Sequence, residues 1–261
     1  MKAIGKDLRS LLPIIGLFII LVMMVASLAK HRSLVCTEVE IKLSPDEGTY
    51  FLAPSHVLQI AAGVFSVNDI IGHDIASLDL YDMTMQLQHS PFIENASVFL
   101  GYNGKLTLNV KQRIPLFRVV TSTGQTYYVE KSGIKIPYRK GYAIRVPVVS
   151  GNISESFDDT AFVSSNELYD MLQIFNKISE SSFWTAQIEQ AYVDKKKGYI
   201  LIPKVGSHTI VLGNSDRLNE KLDNLQLFYN QAFSNLGWDA YSEIDLSFEG
   251  QVVAQRKNSI E

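Results

Sequence analysis

The chain has 261 residues with 24 basic side chains against 27 acidic ones, and its formal net charge of −3 excludes the basic surface that a nucleic-acid-binding protein needs. Its single cysteine, Cys36, excludes an internal disulfide, so an oxidising compartment is permitted but not demanded. The part from Lys30 onward leaves Lys2, Lys6, Arg9 and Asp7 behind, carries a net charge of about −5, and is long enough for one large or two ordinary domains.

The first predicted element is Leu11 to Ala29, LLPIIGLFIILVMMVASLA, nineteen residues without a charged side chain. A helix of that length is roughly 28 Å long, close to the ~30 Å hydrocarbon core of a bilayer, so the stretch predicts a single transmembrane helix. Pro13 falls in the first turn, where a missing N–H costs little, and Gly16 is tolerated because the backbone bonds close within the helix. Ser27-Leu28-Ala29 could serve as a small-x-small cleavage site. The apolar run is longer than that of a signal peptide, however, and Lys30, His31 and Arg32 follow it directly, so an uncleaved anchor is expected. A core helix is disfavoured because no polar stripe would meet water. Lys2, Lys6 and Arg9 before the span balance Lys30, Arg32 and Lys42 after it, so basic residues do not set the orientation. The short tail, 1–10, is more naturally cytoplasmic while the long C-terminal part crosses. Residues 30–36 read as a linker; Cys36 in it is an unremarkable thiol, since Val35 replaces the small residue of a lipidation signal.

A first domain is expected over 37–114. Val39, Ile41 and Leu43 alternate with Glu38, Glu40 and Lys42, the period of a half-buried strand. Ser55 can cap a short helix carrying Val57, Leu58, Ile60 and Ala61, with Gly63 as its stop. A second helix is expected from Ser77, with Leu80, Met83 and Leu87 on one face, ending before Pro91. Ala96, Val98 and Leu100 then alternate on one arm of a hairpin and Leu106, Leu108 and Val110 on the other, around Tyr102-Asn103-Gly104. A two-residue Asn-Gly loop would put the two apolar sets on opposite faces. A three-residue loop with Gly104 left-handed pairs Leu100 with Leu106, Val98 with Leu108 and Ala96 with Val110, and buries both sets.

Strand, helix, helix, strand, strand after a lone anchor resembles the POTRA domain of the FtsQ/DivIB family of bacterial cell-division proteins. The resemblance sharpens at Val110-Lys111-Gln112-Arg113-Ile114-Pro115, which matches the family's V-x-E-R-x-P with Gln112 in place of Glu. Pro115 also has a plain structural role, since it ends a ladder and turns the chain onward.

The second domain, 115–256, mixes strands and helices. Strands are expected at Leu116 to Val120, Thr126 to Glu130 and Ile134 to Pro137, separated by turns at Ser122-Thr123-Gly124 and Lys131-Ser132-Gly133. Tyr128-Val129-Glu130 with Ser132-Gly133, and then Val146-Pro147-Val148-Val149-Ser150-Gly151, resemble the same family. A loop is expected from Gly151 to Thr160. Ser164 with Glu167 reads as a capping box for a helix carrying Leu168, Met171, Leu172, Phe175 and Ile178. Strands Ile188 to Asp194 and Tyr199 to Ile202 flank the basic tip Lys195-Lys196-Lys197-Gly198, read as a solvated turn that could touch lipid headgroups. His208 to Leu212 is another strand. A helix from Ser215 carries Leu218, Leu222, Leu225, Tyr229, Ala232, Phe233 and Leu236 and closes at Gly237. Tyr241 to Phe248 and Gln251 to Arg256 complete the sheet, and 257–261 is a tail. Ile210-Val211-Leu212-Gly213 with Lys221-Leu222, and Ile244-Asp245-Leu246, resemble the family's strand-Gly-helix and I-D-L signatures. The expected fold is therefore α+β: a transmembrane helix, a βααββ POTRA domain and a larger mixed domain with a mainly antiparallel curved sheet.

No catalytic, cofactor or metal site is expected. His31, His56, His73, His89 and His208 never fall four apart on a helix or beside a cysteine pair, and each reads as a surface or cap residue. Ser132-Gly133-Ile134-Lys135 fits S-x-x-K, but Gly133 and the strand after it separate the two side chains, and no K-T-G follows. Asn95-Ala96-Ser97 and Asn152-Ile153-Ser154 are glycosylation sites only in a eukaryotic secretory context. No Gly-rich phosphate loop is present, and no small-molecule substrate is expected.

What remains is binding. A last strand near the chain end often lies at a sheet edge, where unpaired backbone groups can accept another chain's strand. The resemblance implies that this strand binds an FtsB- or DivIC-like partner, with Phe248 as an aromatic anchor and Val252, Val253 and Ala254 on the pairing strand. Gln255 stands where some relatives have a bulky aromatic. The alternative for Phe248, Val252 and Val253 is an ordinary inward-facing role. The expected function is a divisome scaffold in the inner membrane at the septum, with its C-terminal domains outside the cytoplasm, holding FtsB-like and FtsL-like partners and helping control septal peptidoglycan synthesis. Two rivals are a POTRA-bearing secretion or assembly factor, which would continue into a membrane barrel where this chain stops at Glu261, and an anchored hydrolase or transferase using Ser132.

Overall fold

The computed structural model describes Pro13 and residues 15–26, 35–45, 51–64, 66–140, 144–233 and 237–257. Pro13 and residues 15–26 are helical, and the large apolar side chains from Ile15 to Val25 are exposed. The described helix spans about 18 Å at 1.5 Å per residue. The rest of Leu11 to Ala29 lies outside the described residues, and among the described residues no helix is long and apolar enough to cross a membrane. The expected transmembrane helix is thus not found among them.

The chain divides into two compact units, Met1–Gly48 with Leu52–Gln112, and Thr49–Phe51 with Arg113–Glu261. In the first, β1 (Glu38–Ser44) is followed by α1 (Pro54–Ala62), α2 (Leu80–His89), β2 (Ile93–Leu100) and β3 (Lys105–Gln112). The sheet order is β1-β3-β2, with β3 parallel to β1 and antiparallel to β2. The hairpin has the expected register: Ala96 faces Val110, Val98 faces Leu108 and Leu100 faces Leu106. Gly104 adopts φ 80°, and the turn closes through Gly101 N–H to the Lys105 carbonyl at 2.8 Å and Gly104 N–H to the Gly101 carbonyl at 3.0 Å. Leu106, Leu108 and Val110 are buried on the central strand, and Val57, Leu58, Ala61, Met83 and Leu87 are the buried residues of the two helices.

Both helices begin elsewhere than expected. Ala53, not Ser55, is the N-cap of α1, with Pro54 at the first position and His56 Nδ1 accepting the Ala53 N–H at 3.0 Å. A 3₁₀ turn occupies Ile75–Ser77, and α2 starts after Asp79, whose carboxylate accepts the Asp82 N–H at 2.9 Å. At α2 a side chain accepts a free amide of the first turn, while at α1 Pro54 opens the helix and His56 reaches back to the amide of the N-cap residue.

The second unit is one nine-stranded sheet in the order β12-β11-β10-β9-β8-β7-β4-β5-β6. Its strands are β4 (Pro115–Val120), β5 (Thr126–Glu130), β6 (Lys135–Pro137), β7 (Val148–Gly151), β8 (Ile188–Asp194), β9 (Gly198–Pro203), β10 (Thr209–Gly213), β11 (Tyr241–Asp245) and β12 (Val253–Arg256). Five neighbouring pairs are antiparallel; β4/β7, β7/β8 and β10/β11 are parallel. The sheet is therefore mostly antiparallel within a mixed α+β fold. Helices α3 (Asn166–Ser179) and α5 (Leu218–Phe228) bury Leu168, Met171, Phe175, Leu222 and Leu225 in one core with Phe117, Val149, Leu201 and Ile244 of the sheet.

Several expectations change here. Ser165 caps α3 and Ser164 does not: the Ser165 hydroxyl accepts the Leu168 N–H at 3.4 Å, while the Ser164 amide donates to Glu155. A short helix α4 (Ser182–Gln187), capped by Ser181, was not expected. Helix α5 starts at Leu218 behind Arg217, not at Ser215, and passes into a π turn at Tyr229–Phe233; Leu236 lies outside the described residues. The last two strands are shorter than expected, so Phe248 and Val252 fall outside them. His208, expected at the surface or in a cap, is 1% exposed, with its Nε2 2.8 Å from the Tyr229 hydroxyl.

Candidate functional site

Strand β12 lies at one edge of the nine-stranded sheet and, among the described residues, pairs only with β11, antiparallel, with Asp245 facing Val253, Ile244 facing Ala254, Glu243 facing Gln255 and Tyr241 facing Arg256. Alternate backbone N–H and C=O groups of a strand so placed point away from the sheet and have no partner in it.

The strand is held from behind. Ile244 and Leu246 are buried, whereas Asp245 between them turns outward and its Oδ1 accepts the Ser247 N–H at 2.8 Å. The Leu246 amide donates to the Val211 carbonyl at 2.8 Å and ties the turn end of the β11–β12 hairpin to β10, while Lys257 N–H donates to the Ala240 carbonyl at 3.1 Å and closes the hairpin's open end. Lys221 is buried without a carboxylate within ion-pair distance among the described residues. Its Nζ donates to the carbonyls of Leu212 and Asn214 and to Asn214 Oδ1 at 2.7–2.9 Å, and burial lowers its pKa. Those three bonds fix the exit of β10 against the start of α5. The turn between β11 and β12 rests on that helix: Glu220 Oε1 accepts the Gly250 N–H at 3.2 Å, and Arg217 Nη1 lies 3.3 Å from Glu249. On β11, Glu243 pairs with Lys197 of the basic tip at 2.5 Å and holds its ammonium above the usual range.

The five expected binding residues divide. Phe248, in the turn, is 55% exposed and Val253, on the strand, 47%; neither is an inward-facing sheet residue. Val252 and Ala254 pack partly against the core, and Val252 precedes the strand rather than lying on it. Gln255 is exposed, with its carbonyl accepting the Ser242 hydroxyl at 3.3 Å. Among the described residues the edge thus presents a backbone ladder with no second neighbouring strand, beside two exposed apolar side chains. The sequence singles out Lys221 only as part of a family signature, without its burial or its bonds to the end of β10, and it gives no sign of Glu220, which looks like an ordinary charge of an amphipathic helix but holds the β11–β12 turn.

In the S-x-x-K stretch the two side chains bond to different groups. Ser132 Oγ is bonded to Glu130, whereas Lys135 Nζ is bonded to Glu155 at 2.6 Å and to the Ser156 carbonyl at 2.8 Å, so the two have separate partners.

Residues 114–255 match the family model described as FtsQ/DivIB, C-terminal related. Over 187 residues the chain is 22% identical to the cell division protein FtsQ of Syntrophotalea carbinolica, covering 70% of this chain and 65% of that protein. It is 27% identical over 177 residues to the cell division protein FtsQ of Salinibacter ruber, covering 64% and 66%. The chain thus spans about two thirds of the length of these relatives, 65% in the first case.

Proposed function

Since the chain belongs to the FtsQ/DivIB family, we propose that it is a cell-division protein that works as a membrane-anchored, non-catalytic scaffold. Residues 11–29 cross the inner membrane, 1–10 stay in the cytoplasm, and the two units stand outside it, with 37–114 as a POTRA domain and 115–256 as the partner-binding β domain. An extended segment of an FtsB- or DivIC-like protein adds a strand beside β12. Main-chain hydrogen bonds supply affinity, and Phe248 and Val253 supply apolar contacts on either side of the ladder. An FtsL-like protein is held with it, and together they help control septal peptidoglycan synthesis.

The observation that supports this reading most directly is the free edge of β12 with Val253 exposed on it. Val253→Lys places a charge where an incoming strand must lie, without disturbing the core. Pull-down of the partner by the full chain is expected to fall by at least about tenfold, equivalent to 1.4 kcal/mol, with an unchanged unfolding transition. Unchanged capture would move the site away from β12. In the native host, depletion should give filaments without septa and a fluorescent fusion should collect at mid-cell; normal division with a diffuse envelope signal would exclude the divisome role.

A further inference from the structure

The end of the first unit at which the chain enters it carries three exposed apolar side chains on three segments bonded to one another. Residues 35–37 lie between a turn at 70–74 and the β2–β3 tip. Cys36 N–H donates to the His73 carbonyl at 2.9 Å and Gly72 N–H to the Cys36 carbonyl at 2.7 Å, and Val35 forms a bridge with Asp74. On the other side Thr37 N–H donates to the Gly104 carbonyl at 3.0 Å and the Thr37 hydroxyl to the Asn103 carbonyl at 2.9 Å. A methyl group at Gly104 would lie 2.6 Å from the Val35 carbonyl, so the tip and this segment are packed closely against each other. Val35 is 46% exposed, Ile71 40% and Tyr102, at the tip, 97%.

We propose that this end of the unit seats in the headgroup region of the bilayer, with Tyr102 as an interfacial anchor and Val35 and Ile71 beside it. The inference rests on reading residues 11–29 as a membrane span. Six residue steps separate Ala29 from Val35, which limits their distance to roughly 22 Å even for a fully extended chain. Tyrosine favours this depth because its ring is apolar and its hydroxyl remains wet. Lys30 and Arg32 follow the span itself, but the charges of the folded end do not ask for an anionic surface: Lys105 is taken up by Glu38 at 2.9 Å and Glu40 at 3.4 Å, and Asp69 and Asp74 are exposed. The occupant is therefore the zwitterionic interface, held by apolar insertion rather than by attraction to acidic lipid.

The test reconstitutes the full chain in phosphatidylcholine vesicles with lipids brominated near the headgroup, comparing Tyr102→Trp, Ile71→Trp and Asn95→Trp against the unsubstituted chain, whose Trp184 and Trp238 give the baseline. Asn95 is exposed near the opposite end of β2, roughly 23 Å from Tyr102 at 3.3 Å per residue. The added emission of the first two variants should be blue-shifted and quenched, that of Asn95→Trp neither, and added salt should change nothing. If the chain floats with the vesicles but positions 102 and 71 behave like 95, the docking is overturned while the anchor stands. If the chain stays in the aqueous fraction, the anchor reading falls and the docking with it.

Discussion

Lys135 and Glu155 face each other at 2.6 Å with almost no solvent on either side chain. The Tyr127 hydroxyl donates to the Glu155 carbonyl at 2.9 Å, and the Glu155 carboxylate accepts the amides of Ser164 and Ser165, so one acid joins β5, β6 and the start of α3. Burial pushes this carboxyl up, but the bonds from Lys135, Ser165 and Ser164 outweigh it and its pKa lies below the usual value. Removing one member leaves the other charge buried and alone, so Lys135→Met should lower the unfolding free energy by about 3–5 kcal/mol in urea titrations at neutral pH. The folded pKa is the lower one, so the contribution is complete above the unfolded value near 4.5 and disappears as pH falls through the folded value. The gap between the unsubstituted chain and Glu155→Gln should accordingly narrow on acidification. The sequence pattern brought Lys135 to notice only as the end of an S-x-x-K, because a pair twenty residues apart leaves no spacing signal. Gln112 is the opposite case. The departure from the expected glutamate is visible in the sequence, whereas its setting emerges only in the structure, where Oε1 accepts the Leu52 N–H at 2.9 Å in a buried site and Nε2 is buried without a partner among the described residues.

Elements were legible where a short-range rule fixed them. The β2–β3 register followed from a period of two and one glycine, because the two-residue Asn-Gly loop would have split the apolar residues between two faces. The I-D-L stretch is legible for the same reason: Ile244 and Leu246 point in and Asp245 points out. Helix α4 was not legible, since six residues carry too little periodicity to distinguish them from a loop, and Trp184 in it is buried by tertiary packing. His208 escaped likewise, because its burial depends on Tyr229 from a distant element. The tight packing of β9 on β10 was also invisible: Gly198 has φ 73°, and a methyl group there would lie 1.9 Å from the Gly213 carbonyl oxygen. Gly124, with φ 86°, faces open space. Gly124→Ala should cost only the left-handed penalty of roughly 1–2 kcal/mol, whereas Gly198→Ala must also push two strands apart and should lower the thermal midpoint by clearly more. Equal losses would mean that the strands separate freely at that point.

At the scale of the whole molecule, the question is which functions survive when the units are parted. Residues 113–257 hold all nine strands of the second sheet, helices α3 to α5, Phe248 and Val253. They lack Phe51, which groups with the second unit, is fully buried, and meets the Tyr128 ring edge to face with centroids 5.4 Å apart. Deleting a buried phenylalanine side chain costs about 3–5 kcal/mol, so the fragment should unfold cooperatively but at lower urea than the same unit in the full chain. Its β12 edge is intact, and it should still capture the partner strand in pull-downs. If residues 11–29 anchor the chain as proposed, the fragment should nevertheless fail to restore septa in depleted cells, because affinity for a partner does not replace confinement in the same membrane, which raises the effective concentration of anchored partners. Restored division by the fragment would remove residues 11–29 from the function. A folded fragment that captures nothing would move the partner site out of the second unit.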